Sequence, residues 1–411
     1  MKTFTKIAGS IFLVLTLNQY YVKAQFLSRL KETVKSHVED KTDDKTANTT
    51  DKAMDSVLDP SKKKNDNGST TSNDNKVSSD KTGSSEAGAV PTLKVYSNYD
   101  FVPGDKILFD DNFSDDQDGE FPAHWDLEKG QGIINVIDGV PAFCLTEGNY
   151  ARVIPRMKTS SYLTDPFTVE FDYFVKDGGA YGINVFLKSS EDKEGIVTFG
   201  TRGGVSTGYF PRDFSADYPD KEMSDKDFFG KWHHGALIYK NNQLKCYVDQ
   251  YRVLVIPSVN LTPTSLGFGG IGSNDDPIIF KNVRLASGGE MNMIGKKFTE
   301  SKIITHGINF DVDKATIKPE SMGTLNMIVQ VMNSNPEIKF EVDGHTDNTG
   351  SAAHNLTLSQ DRADAVKAQL VSMGIDVSRL STKGFGDTKP ISDNNTLEGK
   401  ANNRRVEFVK M

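Results

Sequence analysis

Gly344-His345-Thr346-Asp347-Asn348-Thr349-Gly350-Ser351, followed by Asn355-Leu356-Thr357-Leu358-Ser359-Gln360-Asp361-Arg362-Ala363, decides the reading of the C-terminal quarter. The stretch joins two unlike patterns. Upstream, residues 338–342 alternate apolar and polar side chains, the period of a half-buried strand. Downstream, Ala363, Val366, Leu370 and Met373 recur at helical spacing, which predicts a helix from about Ser359 with Gly374 just past its end. A glycine-containing loop between strand and helix lets Asp347 project a carboxylate into a cleft. Arg362 follows 15 residues later, in what the pattern makes the first turns of the helix. Free N–H groups around residues 359–361 would then add affinity for an anion.

Working outward, Pro319 stands at an expected first helical position, and Met322, Leu325, Val329 and Met332 follow at helical spacing. Residues 404–409 read as a closing strand. Strand and helix therefore alternate across residues 298–411, which predicts an α/β sandwich. Three further pieces accompany the central stretch: Ile308-Asn309-Phe310, Gly384-Phe385-Gly386 ahead of Pro390, and Asn403-Arg404-Arg405-Val406-Glu407. Together they resemble the OmpA-like C-terminal domain of OmpA family proteins, the peptidoglycan-associating module of Gram-negative envelopes.

That resemblance implies peptidoglycan as the partner. Asp347 and Arg362 would grip diaminopimelate, Thr346, Asn355 and Leu358 would shape the pocket, and Arg405 would lie near it. The chemistry is consistent: diaminopimelate ends in an ammonium beside a carboxylate, and a carboxylate with a bidentate guanidinium is the complementary pair. The competing reading is a surface ion pair that contributes only to the fold.

Residues 105–290 predict an all-β block. Short alternating or apolar runs at 133–137, 167–175, 182–187, 196–199, 236–239, 244–248, 253–256 and 278–285 are separated by turn residues such as Asp138-Gly139 and Asn241-Asn242. The opening Ile107-Leu108-Phe109-Asp110-Asp111-Asn112-Phe113 with Trp125, the run Trp232-His233-His234-Gly235-Ala236-Leu237-Ile238-Tyr239, and the closing Ile279-Phe280-Lys281-Asn282-Val283-Arg284-Leu285 resemble concanavalin A-like or laminin-G-like jelly rolls. A lectin-like sandwich that binds a glycan or a protein is what this implies.

Enzyme chemistry is not expected. Jelly-roll glucanases use Glu-x-Asp-x-x-Glu on one strand; here Glu170-Phe171-Asp172 is followed by Val175 at the third acid position. His233 and His234 are adjacent on an expected strand, so they face opposite ways and do not chelate together. The acids Asp110, Asp111, Asp115, Asp116, Asp118 and Glu120 are the alternative to having no cofactor, since oxygen-rich loops bind calcium, but their spacing is not that of an EF-hand. Cys144 and Cys246 are expected to be free, with Cys246 in the core and Cys144 on the other side of its strand.

The N-terminal part differs again. Lys2 and Lys6, an apolar run over residues 7–17 and Val22-Lys23-Ala24 predict a signal peptide over 1–24. Residues 25–95 are polar and almost free of aromatics, which predicts a flexible linker, with a helix possible over 26–58. Across 411 residues the net charge is −8 and the mean hydropathy −0.46, so neither a polytopic helical membrane protein nor a nucleic-acid binder is indicated.

The expectation is thus a multidomain, non-enzymatic chain exported to the periplasm: signal peptide, linker, β-sandwich, peptidoglycan-binding domain. It would associate with peptidoglycan and the outer membrane, where the sandwich or the linker meets a glycan or an outer-membrane protein. The alternatives are an outer-membrane protein whose middle block is a small β-barrel, and a glycan-active jelly-roll enzyme. Expected strands of mostly 5–8 residues fall short of the about 9–11 a membrane barrel needs.

Overall fold

The computed structural model describes residues 99–220, 225–289 and 298–411, all within the compact unit Ser85–Met411. The expected signal peptide, the 25–95 linker and the joint at 290–297 lie outside the described residues. Among the described residues no helix is long and apolar enough to cross a membrane.

Thirteen strands lie between Lys106 and Ser287: β1 (Lys106–Asp111), β2 (Trp125–Ile137), β3 (Val140–Pro155), β4 (Phe167–Val175), β5 (Ile183–Ser189), β6 (Glu194–Phe199), β7 (Val205–Gly208), β8 (Ser215–Ala216), β9 (Lys231–Lys240), β10 (Gln243–Val248), β11 (Tyr251–Ile256), β12 (Pro263–Gly272) and β13 (Ile278–Ser287). A single helical turn, α1 (Asp225–Phe228), precedes β9. The strands pair antiparallel in the order β11-β10-β9-β4-β13-β3-β12-β5-β6-β7-β8, with β1 on β13 and β2 on β3. This sheet doubles over on itself. Phe171 of β4 and Phe199 of β6 stand far apart in the strand order, yet their ring centroids are 5.0 Å apart. Tyr218, just after β8, and Tyr251, at the start of β11, bring the two ends of the order together at the same distance.

Aromatic side chains fill the space between the layers. Trp125 is fully buried, its ring 5.4 Å from Phe109 and 5.7 Å from Phe280. Each large apolar side chain removed from water contributes on the order of 1.5–3 kcal/mol. The indole N–H donates to Asp111 Oδ2 at 2.9 Å, and Asp111 Oδ1 accepts the Phe113 N–H at 2.9 Å. The acidic opening stretch is therefore partly internal scaffolding. Several strands run longer than their apolar patterns: β2 has 13 residues, β3 has 16, and β12 contains four glycines that hide it from a strand pattern. At Gly269 a Cβ would come within 1.8 Å of the Ala151 carbonyl oxygen, so the close approach of β12 to β3 requires glycine.

The C-terminal block has a four-stranded sheet in the order β14 (Lys302–Thr305), β17 (Val406–Lys410), β15 (Phe340–His345), β16 (Leu380–Gly386). Only β15 and β16 run parallel. Three helices accompany it: α2 (Met322–Ser334), α3 (Ala352–Ser372) and α4 (Leu397–Asn403). Helix α2 follows a 3-10 turn at Pro319–Ser321 and buries Met322, Leu325, Ile328, Val331 and Met332, as its periodicity requires.

Helix α3 starts seven residues earlier than the pattern predicted. Ser351 caps it, its side chain accepting from the His354 N–H, and the buried face begins with polar Asn355 and Ser359 before Ala363, Val366 and Leu370. Residues 359–361 are consequently mid-helix, their N–H groups belong to its interior, and the expected anion-binding terminus there does not exist.

The two blocks share apolar contacts. Strand β9 alternates Leu237 and Tyr239 into the aromatic core with Ala236 and Ile238 into the cluster of the C-terminal block. Both faces are thus buried, which accounts for the continuous apolar run at 236–239. Residues 99–102 lie at this seam: Phe101 and Tyr99 contact Tyr247 edge-on, and Tyr99 O accepts from Asn326 Nδ2 at 3.1 Å. A Cβ on Gly323 of α2 would overlap the Phe101 carbonyl oxygen at 1.7 Å, so the backbone passes directly against the helix. Asn402 of α4 mimics a strand partner for β1, accepting the Ile107 N–H at 3.0 Å and donating to its carbonyl at 2.9 Å.

Candidate functional site

Asp347 sits in the loop between β15 and α3 and is 7% exposed. Its Oδ1 accepts the Thr349 N–H at 2.8 Å, and Oδ2 receives Arg404 Nη1 at 2.6 Å. Burial opposes ionisation, but the Arg404 and Thr349 hydrogen bonds outweigh it and hold the carboxyl below the usual range. Asp347 is therefore an anion at neutral pH.

Thr346 is buried beside it. Its N–H donates to the Gly386 carbonyl at 3.0 Å, while its Oγ1 has no hydrogen-bond partner. Asn355, in the first turn of α3, donates Nδ2 to the Asp347 carbonyl at 3.2 Å and so ties the loop to the helix. Leu358 is half-buried one turn on.

Arg362 does not close a pair with Asp347. Its Nε donates to the Lys314 carbonyl at 2.9 Å, its Nη2 reaches the Asp311 carbonyl at 3.4 Å, and the guanidinium lies 4.9 Å from the Phe310 ring centre. Burial lowers its proton affinity, Arg404 adds to that, and the charges of Asp313 and Asp347 oppose it. A carboxylate and a guanidinium thus flank one loop, each oriented by other groups.

Arg405 is placed elsewhere. It is 5% exposed, and both Nε and Nη2 reach Glu407 Oε1 at 2.7 Å, with further bonds to the Asn403 and Lys389 carbonyls. The residue at Asp347 is its neighbour Arg404, because successive residues entering a strand face opposite sides. The Arg404-Arg405 doublet carried that signal. Arg404 also donates Nη2 to Asp110 Oδ2 at 2.7 Å, and Asp110 belongs to β1 of the preceding block. No local pattern announces a contact between residues 294 positions apart.

The paired histidines of the β-block and the acids that face them have internal partners. His233 and His234 do face opposite ways: His233 Nδ1 meets Asp249 at 2.8 Å, and His234 Nδ1 meets Asp172 at 2.9 Å. Asp111, Asp116 and His124 converge, but two carboxylates and an imidazole do not match the six to eight oxygens calcium takes, and Asp115, Asp118 and Glu120 are exposed. A second convergence, Asp343, His345 and Glu407, has its Glu407 already bound by Arg405 and Lys302. Cys144 and Cys246 are both free and buried, in separate apolar clusters, with Cys246 in the main core.

Comparison with known proteins locates the likeness in this block. Residues 309–404 match the model of the OmpA family. The probable lipoprotein YiaD of Escherichia coli (strain K12) is 44% identical over 104 residues, covering 25% of this chain and 48% of that protein. Outer membrane protein A of Bordetella avium is 46% identical over 99 residues, 24% of this chain and 51% of that one. The peptidoglycan-binding protein ArfA of Mycobacterium bovis is 39% identical over 102 residues, 25% and 31% of the two chains. The chain spans about half or less of each of these relatives. Residues 309–404, which match the OmpA family, hold Asp347, Arg362 and Arg404 and follow an antiparallel β-block.

Proposed function

We propose that this is a non-enzymatic protein of the cell envelope whose C-terminal domain binds the diaminopimelate of peptidoglycan stem peptides. Asp347 would receive the ammonium and Arg362 the carboxylate, with Thr346, Asn355 and Leu358 forming the surrounding wall. The observation that carries this reading is the placement of a carboxylate, Asp347, and a guanidinium, Arg362, around one loop without a bond between them, Arg362 bonding instead to the Lys314 and Asp311 carbonyls. The peptidoglycan-binding relative and the outer-membrane relative add support from outside the chain.

In this reading the β-block is a jelly-roll-like module, presented beside the cell wall to a glycan or an outer-membrane protein. The protein works in the periplasm, at the outer membrane and the peptidoglycan. An aromatic interior argues for a water-soluble block rather than a membrane barrel, whose lumen is polar and whose lipid face is apolar. Strand length does not separate the two, since β2, β3, β9, β12 and β13 each reach ten residues or more. Val175, 4% exposed in the core, stands where a glucanase needs its third acid, which speaks against hydrolysis.

The test is sedimentation of the purified chain with isolated sacculi. Wild type is expected in the pellet and the Asp347→Asn/Arg362→Glu variant in the supernatant. Equal sedimentation of both removes the assignment.

A further inference from the structure

The ligand site is not confined to the OmpA family domain. One side chain, Arg404, bridges Asp347 of that domain and Asp110 of the β-block, at 2.6 and 2.7 Å. The two acids are sheltered, with side chains 10% and 15% exposed, whereas Arg404 is 42% exposed. Asp110 is itself held in place. Arg284 Nε lies 3.5 Å from its Oδ1, and Arg284 Nη1 donates across the seam to Asn309 Oδ1 at 2.8 Å and to the His306 carbonyl at 3.3 Å.

An incoming ammonium needs the Asp347 oxygen that Arg404 occupies. Arg404 therefore has to let go, and a second carboxylate already in contact with it lowers the cost of release. Asp110 is that second carboxylate, already in contact. Its two oxygens can take both arms of the fork, the geometry in which arginine and carboxylate bind best.

We propose that Asp110 is a positioning residue for the peptidoglycan site: it takes Arg404 from Asp347 when a ligand ammonium arrives. The docked β-block thereby sets the affinity of the C-terminal domain for its ligand. This rests on the reading of Asp347 as the ammonium receptor, and the experiment separates the two.

The measurement is calorimetric titration of the full chain with meso-diaminopimelic acid, with a thermal melt of each variant to establish that it is folded. Arg404→Gln removes the internal competitor and should tighten binding about fivefold. Asp110→Asn removes the second anion that draws Arg404 from Asp347 and should weaken binding about fivefold. In the double variant the Asp110 change should have no further effect, because its influence passes through Arg404. An unchanged affinity in Asp110→Asn, a weakening that persists in the Arg404→Gln background, or a loss of binding in Arg404→Gln each overturns the proposal. Asp347→Asn is the control: if it binds as well as wild type, the underlying site reading has failed instead.

Discussion

Two clusters of opposite charge lie along the seam between the β-block and the C-terminal domain, and they differ in what can reach them. In the first, Glu170, Asp172, His234 and Arg284 point from β4, β9 and β13 toward Lys318 and Glu320. Glu170 and Asp172 side chains are 6% and 16% exposed, and His234 14%. His234 and Asn282 Nδ2 both reach Asp172, and Arg284 bonds across to Asn309. In the second, Asp347, Arg362 and Arg404 stand at the edge of the seam, with Arg404 42% exposed and paired to Asp347 while Arg362 bonds to the Lys314 and Asp311 carbonyls. The same residue types make an internal weld in one place and the proposed receptor in the other. The acids are sheltered alike in both, Asp347 at 10%; it is the exposure of the partner Arg404 that separates the two, so an acid pair such as Glu170 and Asp172 is not evidence of chemistry until the exposure of its partners is known.

The strongest way to break this comparison is to open the weld. Asp172→Ala strands His234 and Asn282 without their carboxylate, and removing one member of a buried pair costs about 3 kcal/mol or more. Denaturant melts should register that loss, while the diaminopimelate affinity of the folded fraction stays within twofold of wild type. In the receptor the balance should invert. Asp347→Asn should weaken the same ligand about 10- to 100-fold, the scale of one charged hydrogen bond, with little change in the melt.

A pH series sharpens the contrast. Burial opposes protonation of His234, but the Asp172 hydrogen bond and the charges of Asp172, Glu320 and Glu170 overcome it and raise the pKa to about 9, from 6.5. A pKa raised on folding contributes stability that is complete below about 6.5 and is lost as pH climbs toward 9. Unfolding free energy should therefore fall across that window, and His234→Gln should flatten the fall. Smallest of all should be Lys193→Ala, whose partner Glu191 is equally exposed at 2.7 Å; no shift in melting temperature is expected.

Much of this was legible in the chain. The run at 167–175 coincides with β4, and the helical stripe of α2 and the loop bearing Asp347 stand where the patterns put them. The illegible parts have physical causes. Helix α3 hid its first two turns because the face it buries there is Asn355 and Ser359, not apolar. Strand β12 hid because glycines replace the side chains that make an alternating pattern. The Arg404 bridge to Asp110 depends on how two blocks dock, and docking leaves no local period. Arg405, named from resemblance alone, proved to serve Glu407 inside the sheet.

The strap at residues 99–102 gives the molecule a direction of pull. If the C-terminal domain holds the cell wall, tension from the wall enters beside β15 and spreads through the small sheet to α2. Tension from the upstream chain enters at Tyr99, where Asn326 of α2 holds the carbonyl and Phe101 rests on Gly323. The two lines of force meet at one helix. A stretched chain would therefore load the seam directly, across Tyr99, Phe101 and Tyr247. Because Tyr247 belongs to β10, the β-block meets that load at its own edge of the seam.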